Sequence, residues 1–306
     1  MYPEFKRIAI LGAGAVGLYY GGRLASAGED IHFVVRSDHE ALTRDGLSCK
    51  SIHGDFTLPH IQTHRDSAQI GPVDLVIVTW KATANQHLRS ALPPLLHDKT
   101  RVLTLQNGLG NCEAIAELSG PERVLGGLCF VCINRHNAGH IVHSGGGKVS
   151  IGAWHPDSGQ HALGVTNMMR AADIKAHHVE RLEAAQWEKL IWNIPFNGLS
   201  VAEGGVTTDV LLADPQKVDE IRGLMAEVIA AARALGHTLS PQLADDNIER
   251  TRPMGPYRTS SMIDFVEGRV LEVGSIWEEP LRRAQAAGIA MPKLEALLER
   301  IRQRIK

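Results

Sequence analysis

The run Arg7-Ile8-Ala9-Ile10-Leu11-Gly12-Ala13-Gly14-Ala15-Val16-Gly17 decides the fold of this chain. Its first five residues are mostly apolar and β-branched, which predicts a buried strand, and its glycines follow at G-x-G-x-x-G spacing. Residues 18–27 have helix-forming composition and stop at Gly28, as a helix C-terminus would. A second apolar run at 31–35 completes strand, glycine turn, helix and strand. The sequence therefore predicts a βαβ unit in the context that the glycine pattern demands.

The three glycines of this turn predict a dinucleotide site. Gly12 allows the tight turn, Gly14 lets the backbone approach a pyrophosphate, and Gly17 allows close packing of helix on strand. A phosphate there would meet the unpaired N–H groups and the positive end of the helix dipole. A glycine-rich turn without a cofactor is the alternative. The predicted cofactor-binding residues of the turn are Gly12, Ala13, Gly14, Ala15, Val16 and Gly17.

The end of the second predicted strand bears on which nicotinamide cofactor binds. NAD enzymes usually place an acidic residue there for the ribose 2′-hydroxyl, but this strand ends in Arg36 and has no acidic residue before Asp38. An arginine can pair with a 2′-phosphate through two hydrogen bonds. The sequence favours NADP, with a solvated surface arginine as the alternative.

The remaining chain divides into two regions by its pattern of apolar residues. Further strands are predicted at 73–79, 101–105, 124–127 and 148–152, with helical stretches at 85–96 and 110–118 between them. Beyond about residue 180 only helices are predicted, at 183–202, 215–235, 241–250, 257–267, 275–287 and 292–305. The predicted fold class is α/β, an N-terminal Rossmann-type doubly wound parallel sheet (residues 1–180) followed by an all-α C-terminal domain (181–306).

Composition excludes several classes of protein. A chain of 306 residues is long enough for about two domains, and 32 basic against 34 acidic residues leave no basic excess for nucleic acid or anionic membranes. No apolar run reaches the ~18 residues of a membrane span, and the first residues lack the apolar core of a signal peptide. We expect a cytoplasmic protein with no nucleic-acid or membrane partner.

The cysteines and histidines predict no metal site. Cys129 and Cys132 form a C-x-x-C, but Cys49 and Cys112 stand alone, so the spacing for zinc is incomplete. Two thiols in a strand are a better interpretation than half a zinc site or a redox pair. The chain has 15 histidines and no helix-borne H-E-x-x-H pair.

Polar residues follow two of the predicted strands and occupy one face of a helix. Lys81 follows the strand at 73–79, and Asn107 follows the strand at 101–105. In a doubly wound sheet the carboxyl ends of the strands face the ligand crevice. Lys189, Asn193 and Asn197 are spaced i, i+4, i+8 on a helix that is otherwise apolar, so we expect them on one face with a ligand rich in oxygen. A solvated helix face is the alternative interpretation.

Taken together, these residues resemble the ketopantoate reductase (2-dehydropantoate 2-reductase) family. The resemblance spans the chain. Its motifs are the opening I-L-G-A-G-A-V-G, Lys81, Gln106-Asn107-Gly108, the Gly-rich run 140–152, W-x-K-L-x-x-N-x-x-x-N at 187–197, Ser260-Ser261-Met262, Glu272, and 283–292. Asp264 comes one residue earlier than is usual in the family, which leaves the choice between Ser260 and Ser261 open.

The resemblance implies a role for each matching residue. Lys189 would be the general acid. Asn107 would touch both cofactor and substrate, and Lys81, Cys132 and Glu272 would line the cofactor side together with Arg36. The implied substrate-binding residues are Asn107, Asn193, Asn197, Ser260 and Ser261.

The function implied is NADPH-dependent reduction of 2-dehydropantoate to pantoate, a step towards pantothenate and coenzyme A. The expected partners are a small 2-oxo acid and a second copy of the chain in a homodimer. Two alternatives stay open. One is an NADP-linked reductase of a different small branched or hydroxylated 2-oxo acid, and the other, ranked lower, is a protein that senses NADPH without turnover.

Overall fold

The computed structural model describes residues 5–305 and divides them into two compact units. The N-terminal unit contains the described residues up to Gln106 together with Asn111–Leu182. The C-terminal unit contains Asn107–Gly110 together with the residues from Glu183 onward. The short segment Asn107–Gly110 therefore leaves the unit that surrounds it in the sequence, which no sequence pattern indicates.

One sheet of ten strands forms the N-terminal unit. Its strands are β1 Arg7–Leu11, β2 Asp30–Val34, β3 Leu47–Ser51, β4 Phe56–Leu58, β5 Gln62–His64, β6 Leu75–Val78, β7 Arg101–Thr104, β8 Val124–Asn137, β9 His140–Ala153 and β10 Ala176–His178.

The strand order explains where a ligand can bind to this sheet. The order is β4-β3-β9-β8-β7-β6-β1-β2-β5, with β10 beside β9. The strands from β5 through β2, β1, β6 and β7 to β8 are all parallel, in the 3-2-1-4-5-6 order of a dinucleotide-binding sheet. The order reverses between β1 and β6, so the crevice for a ligand opens at the carboxyl ends of these two strands. The predicted doubly wound α/β sheet is confirmed.

Five α-helices accompany the sheet within the described residues. They are α1 Ala15–Ser26, α2 His39–Asp45, α3 Leu88–Ala91, α4 Asn111–Ser119 and α5 Gly159–Ala171. The helix predicted at 85–96 is wrong in most of its length, because only α3 is α-helical and 3₁₀ turns flank it. Pro93 and Pro94 end α3, since proline cannot donate within a continuing helix.

The strand prediction missed part of the sheet. Strands β3, β4, β5 and β10 were not predicted, and the runs at 124–127 and 148–152 are the inner ends of the long antiparallel pair β8–β9. The outer half of this pair is partly exposed and carries arginine, histidine, asparagine and glycine. It therefore lacks the apolar alternation by which a strand is detected.

The C-terminal unit is helical, and no strand occurs beyond β10 in the described residues. Its helices are α6 Leu182–Ala202, α7 Thr208–Ala213, α8 Pro215–Ala234, α9 Leu243–Thr251, α10 Ser260–Val266, α11 Glu279–Ala286 and α12 Pro292–Arg304. Apolar side chains of α6, α8 and α12 form its core, for example Ile191, Met225 and Leu297. The predicted helix 275–287 is divided into a π-helical turn, Gly274–Glu278, and α11. Helix α7 was not predicted.

Within residues 5–305, no helix combines the length and the apolar character that crossing a membrane requires.

Candidate active site

The glycine turn after β1 is held tightly against the end of β6. A Cβ at Gly12, whose φ is +109°, would lie 2.6 Å from the backbone nitrogen of Trp80. A Cβ at Gly17 would lie 2.0 Å from the carbonyl oxygen of Gly12 and 2.5 Å from Oγ1 of Thr79. Real side chains do not tolerate such distances, so these two positions are glycine because the protein itself occupies the space.

Gly14 is different, because a Cβ there would meet nothing within 4 Å. Gly14 is the N-cap of α1, and the first turn of this helix contains no acidic residue. The first N–H groups of a helix have no helical acceptor, and the helix dipole is positive at this end. The space beside Gly14, with the half-buried Ala13, Ala15 and Val16 around it, fits the pyrophosphate of a dinucleotide.

Arg36 is exposed two residues beyond β2. Its guanidinium makes no ion pair within residues 5–305. The nearest following acid in the sequence, Asp38, is engaged by Arg135 of β8 in an ion pair. A cation with no acidic neighbour in the sequence before Asp38 is the arrangement that suits a 2′-phosphate better than a 2′-hydroxyl.

Lys81 and Cys132 are the other predicted cofactor residues of this unit. Lys81 lies three residues beyond the end of β6 and directly precedes a 3₁₀ turn, and its Nζ is shielded from solvent. Cys132 lies on β8 opposite Gly145 of β9, partly buried. The sequence predicts the C-x-x-C in a strand, and both thiols do lie on β8. Among the described residues, no three histidine, cysteine or acidic side chains are arranged to hold a metal ion.

Asn85 joins the ends of two neighbouring strands, and no sequence pattern indicated it. Its Oδ1 accepts hydrogen bonds from Nε1 of Trp80 at 3.2 Å and from Nε2 of Gln106 at 2.7 Å. Its Nδ2 donates to Oδ1 of Asn111 at 2.9 Å. The loop after β6 and the loop after β7 are thereby fixed to each other, and these loops carry Lys81 and lead into Asn107.

In the C-terminal unit, the structure brings Lys189 and Asn107 together. Nζ of Lys189, on α6, donates a hydrogen bond to Oδ1 of Asn107 at 2.8 Å. The segment that carries Asn107 is anchored by the N–H of Leu109, which donates to the carbonyl oxygen of Ser275 at 2.9 Å. Glu272 comes just before this π-turn and is almost fully buried.

Asn197 and the paired serines form a second contact of this unit. Oδ1 of Asn197 accepts from the N–H of Ser261 at 3.0 Å and from Oγ of Ser260 at 3.3 Å. Thr259 is the N-cap of α10, since its hydroxyl accepts from the N–H of Met262. Both serines thus lie at the N-terminus of α10 and touch Asn197.

Asn193 lies on α6 one turn before Asn197 and is also buried. Its side-chain amide makes no hydrogen bond within residues 5–305. Lys189, Asn193 and Asn197 therefore occupy one face of a helix whose other sides are packed in the core. The arrangement offers an ammonium group and two amides to a ligand that carries several oxygens.

Comparison with known proteins gives two matches that together cover most of the chain. The profile described as Ketopantoate reductase PanE/ApbA matches residues 8–156, and the profile described as Ketopantoate reductase PanE/ApbA C terminal matches residues 181–305. The chain belongs to the ketopantoate reductase family. The resemblance inferred from the motifs is confirmed.

Individual members of the ketopantoate reductase family are similar over nearly the full chain. The 2-dehydropantoate 2-reductase of Nostoc sp. is 40% identical over 304 residues, which is 97% of this chain and 94% of the relative. The crystal structure of 2-dehydropantoate 2-reductase from Geobacter metallireducens matches with a TM-score of 0.95 and 44% identity, covering 97% of this chain and 99% of that one.

A more distant structure shows how widely this fold is shared. D-mandelate dehydrogenase, solved with NADH and anilino(oxo)acetate, matches with a TM-score of 0.90 at 20% identity, covering 98% of each chain. At this identity the likeness shows the fold alone. The ketopantoate reductase fold therefore does not by itself define the oxo acid or the nicotinamide cofactor.

Proposed function

We propose that this protein reduces 2-dehydropantoate to pantoate with NADPH. The observation that carries the proposal is the hydrogen bond from Lys189 to Asn107, on the helix face that also presents Asn193 and Asn197. The glycine turn at the reversal point of the sheet supports a nicotinamide dinucleotide as the partner in the reaction. Relatives named as 2-dehydropantoate 2-reductases support the substrate.

The cofactor is held by residues of the N-terminal unit in this proposal. The first turn of α1 binds the pyrophosphate beside Gly14, and Arg36 pairs with the 2′-phosphate of NADP. Lys81 and Cys132 complete the cofactor contacts of this unit. The family resemblance also implies Asn107 and Glu272 as cofactor residues. The bound nicotinamide supplies a hydride for the C2 carbonyl carbon of the oxo acid.

Lys189 is the general acid. As C2 gains a hydride, its oxygen develops negative charge and needs one proton to become the product hydroxyl. The Lys189 ammonium stabilises that charge and gives the proton. Asn107 accepts from the same ammonium group, so its amide fixes where Nζ points.

The oxygens of the substrate are bound by amides and hydroxyls. Asn193 and Asn197 present donors for the carboxylate and the distal hydroxyl of 2-dehydropantoate, with Ser260 and Ser261 beside Asn197. A site built for a hydroxyl group strongly rejects analogues that lack it, because its own polar groups are then left unpaired.

The test is a panel of 2-oxo acids assayed with NADPH and with NADH. We expect 2-dehydropantoate to have the highest kcat/KM, on the order of 10⁴-fold above pyruvate and 2-oxobutanoate. A best substrate without the distal hydroxyl would replace 2-dehydropantoate and favour the alternative of another oxo acid. Tight NADPH binding with no turnover of any acid would favour a sensing protein.

We assign residues 1–180 to an NADP-binding domain and 181–306 to a helical substrate and catalytic domain. The homodimer and the cytoplasmic location remain predictions. Sedimentation velocity at micromolar concentration tests the former, and a single species of monomer mass would contradict it.

A further inference from the structure

The turn Gly274–Glu278 is π-helical rather than α-helical. Its hydrogen bonds reach one residue further than those of an α-helix. The N–H of Glu279 donates to the carbonyl oxygen of Gly274, five residues earlier. In an α-helix this N–H would have gone to Ser275. Turns of this kind are rare inside helices and occur frequently at functional sites.

Pro280 removes the other helical donor for Ser275. In the π register, the carbonyl oxygen of Ser275 would accept from the residue five positions later, which is Pro280. Proline has no N–H. The α-register donor, Glu279, is already used by Gly274. The local sequence therefore leaves this carbonyl oxygen, on a buried residue, without either donor, a situation that costs free energy unless another group pairs with it.

The group that pairs with it is the N–H of Leu109. The distance from this nitrogen to the Ser275 oxygen is 2.9 Å, and Leu109 is buried. Gly108 makes the approach possible, because a Cβ there would lie 2.1 Å from the same oxygen, and its φ of +81° is in the glycine region. The residue before Gly108 is Asn107, whose Oδ1 accepts from Lys189.

We propose that the π-turn with Pro280 is the support that positions the proton donor. Because neither helical donor is available to the carbonyl oxygen of Ser275, this oxygen accepts a hydrogen bond from the N–H of Leu109. That hydrogen bond holds Asn107 in the position in which it orients Lys189. Pro280 and Ser275 are positioning residues, since they act through Asn107. The inference rests on the role of Lys189 stated under the proposed function.

The test is Pro280→Ala, which returns an N–H that can compete with Leu109 for the Ser275 oxygen. Hydrogen exchange at the Leu109 amide is the direct readout. We expect slow exchange in the parent and at least tenfold faster exchange in the variant. Fast exchange in the parent, or an unchanged rate in a folded variant, would overturn the proposal. The parent measurement does not depend on the variant folding.

The catalytic readout is kcat together with its solvent deuterium isotope effect. Asn107 orients the Lys189 ammonium, so loosening Asn107 misplaces the proton donor and makes proton transfer limit turnover more strongly. We expect kcat to fall about tenfold and the isotope effect on kcat to rise. A purely structural role would lower the melting temperature without raising the isotope effect. Pro215→Ala is the matched control, because Pro215 is also in the first turn of a helix but is exposed.

A double-mutant cycle decides whether Pro280 acts through Asn107. In an Asn107→Ala background, Pro280→Ala should have no further effect on kcat. Additive losses would contradict the proposal. Lys189→Ala, measured in the same assay, separates this inference from the proposed function. If Lys189→Ala keeps the turnover of the parent, Lys189 is not the general acid. Whether the π-turn holds the segment that carries Asn107 is then decided by hydrogen exchange at Leu109 alone.

Discussion

Nζ of Lys189 donates a hydrogen bond to Oδ1 of Asn107 at 2.8 Å, across 82 positions of sequence. The amide is an acceptor towards the ammonium group and leaves its own NH₂ for other partners. A lysine restrained in this way has its donor atom placed before the substrate arrives. Such placement is part of what general acid catalysis needs.

Lys189→Ala should lower kcat by about 10²- to 10⁴-fold, the range typical of a lost general acid. Lys189→Arg should not restore turnover, because guanidinium scarcely gives up a proton near neutral pH. Steady-state kinetics with 2-dehydropantoate and NADPH measure both variants, and thermal melting shows that they are folded. Turnover within a few-fold of the parent in a folded Lys189→Ala protein would remove Lys189 from the mechanism.

Arg36→Ala should weaken NADPH binding by about 1–3 kcal/mol, the scale of a charge-assisted hydrogen-bonded pair. NADH binding should be nearly unchanged, because NADH has no 2′-phosphate. Calorimetric titration of both cofactors gives the two affinities. Lys99→Ala is the control, since it removes an exposed cation just before β7, at the amino ends of the parallel strands. Equal affinity of the parent for NADPH and NADH would contradict the role of Arg36.

Gly14→Ala should weaken NADPH binding, whereas Gly17→Ala should lower the stability of the N-terminal unit. The Cβ added at position 14 has no protein atom within 4 Å but enters the space proposed for the pyrophosphate. We therefore expect weaker NADPH binding and an unchanged melting temperature. The Cβ added at position 17 would lie 2.0 Å from the Gly12 oxygen, so the N-terminal unit is destabilised. Gly159→Ala, at the first position of α5 with nothing within 4 Å, is the matched control. Unchanged NADPH affinity in Gly14→Ala would argue against a phosphate there.

Asn193→Ala and Asn197→Ala should separate substrate binding from stability. Loss of Asn197 leaves the buried N–H of Ser261 without its acceptor, which costs about 1–3 kcal/mol of stability, and also raises KM for the oxo acid. Loss of Asn193 should raise KM with little change in stability. Urea unfolding and steady-state kinetics measure the two effects. An Asn193→Ala protein with the KM of the parent would exclude that amide from the substrate site.

The stability of the N-terminal unit should depend on His143 below neutral pH. Burial, and then the nearby His53 and Arg23, hold the pKa of His143 below 6.5, although the Gly145 carbonyl opposes them. Tyr19 and Ser51 also contact the ring. Just below pH 6.5 the His143 ring therefore binds a proton in the unfolded chain but not in the folded protein.

The free energy of unfolding should then fall as the pH decreases from about 6.5, by at most about 1.4 kcal/mol per pH unit for this group. The loss should level off below the folded pKa. His143→Gln should reduce this slope, which urea unfolding at several pH values measures. His136→Gln is the control, because His136 is exposed on β8. An identical slope in parent and His143→Gln would show that the ring does not resist protonation.

The sequence by itself determined the elements whose signals are local. A short apolar run followed by the glycine turn specified β1, α1 and β2, because backbone conformation at Gly12 and close packing at Gly17 tolerate no side chain. The i, i+4, i+8 spacing placed Lys189, Asn193 and Asn197 on one face of α6, because the helical period fixes that geometry.

Only the tertiary structure decided the rest, because the contacts join residues far apart in the chain. Nothing near residue 107 indicates that Asn107–Gly110 packs with the helical unit, since its partners, Lys189 and the carbonyl oxygen of Ser275, lie far along the chain. The outer part of the β8–β9 pair and the Asn85 network escaped prediction for the same reason. Their stability comes from partners across the sheet and from neighbouring loops, and polar or glycine-rich residues carry no periodic signal of such partners.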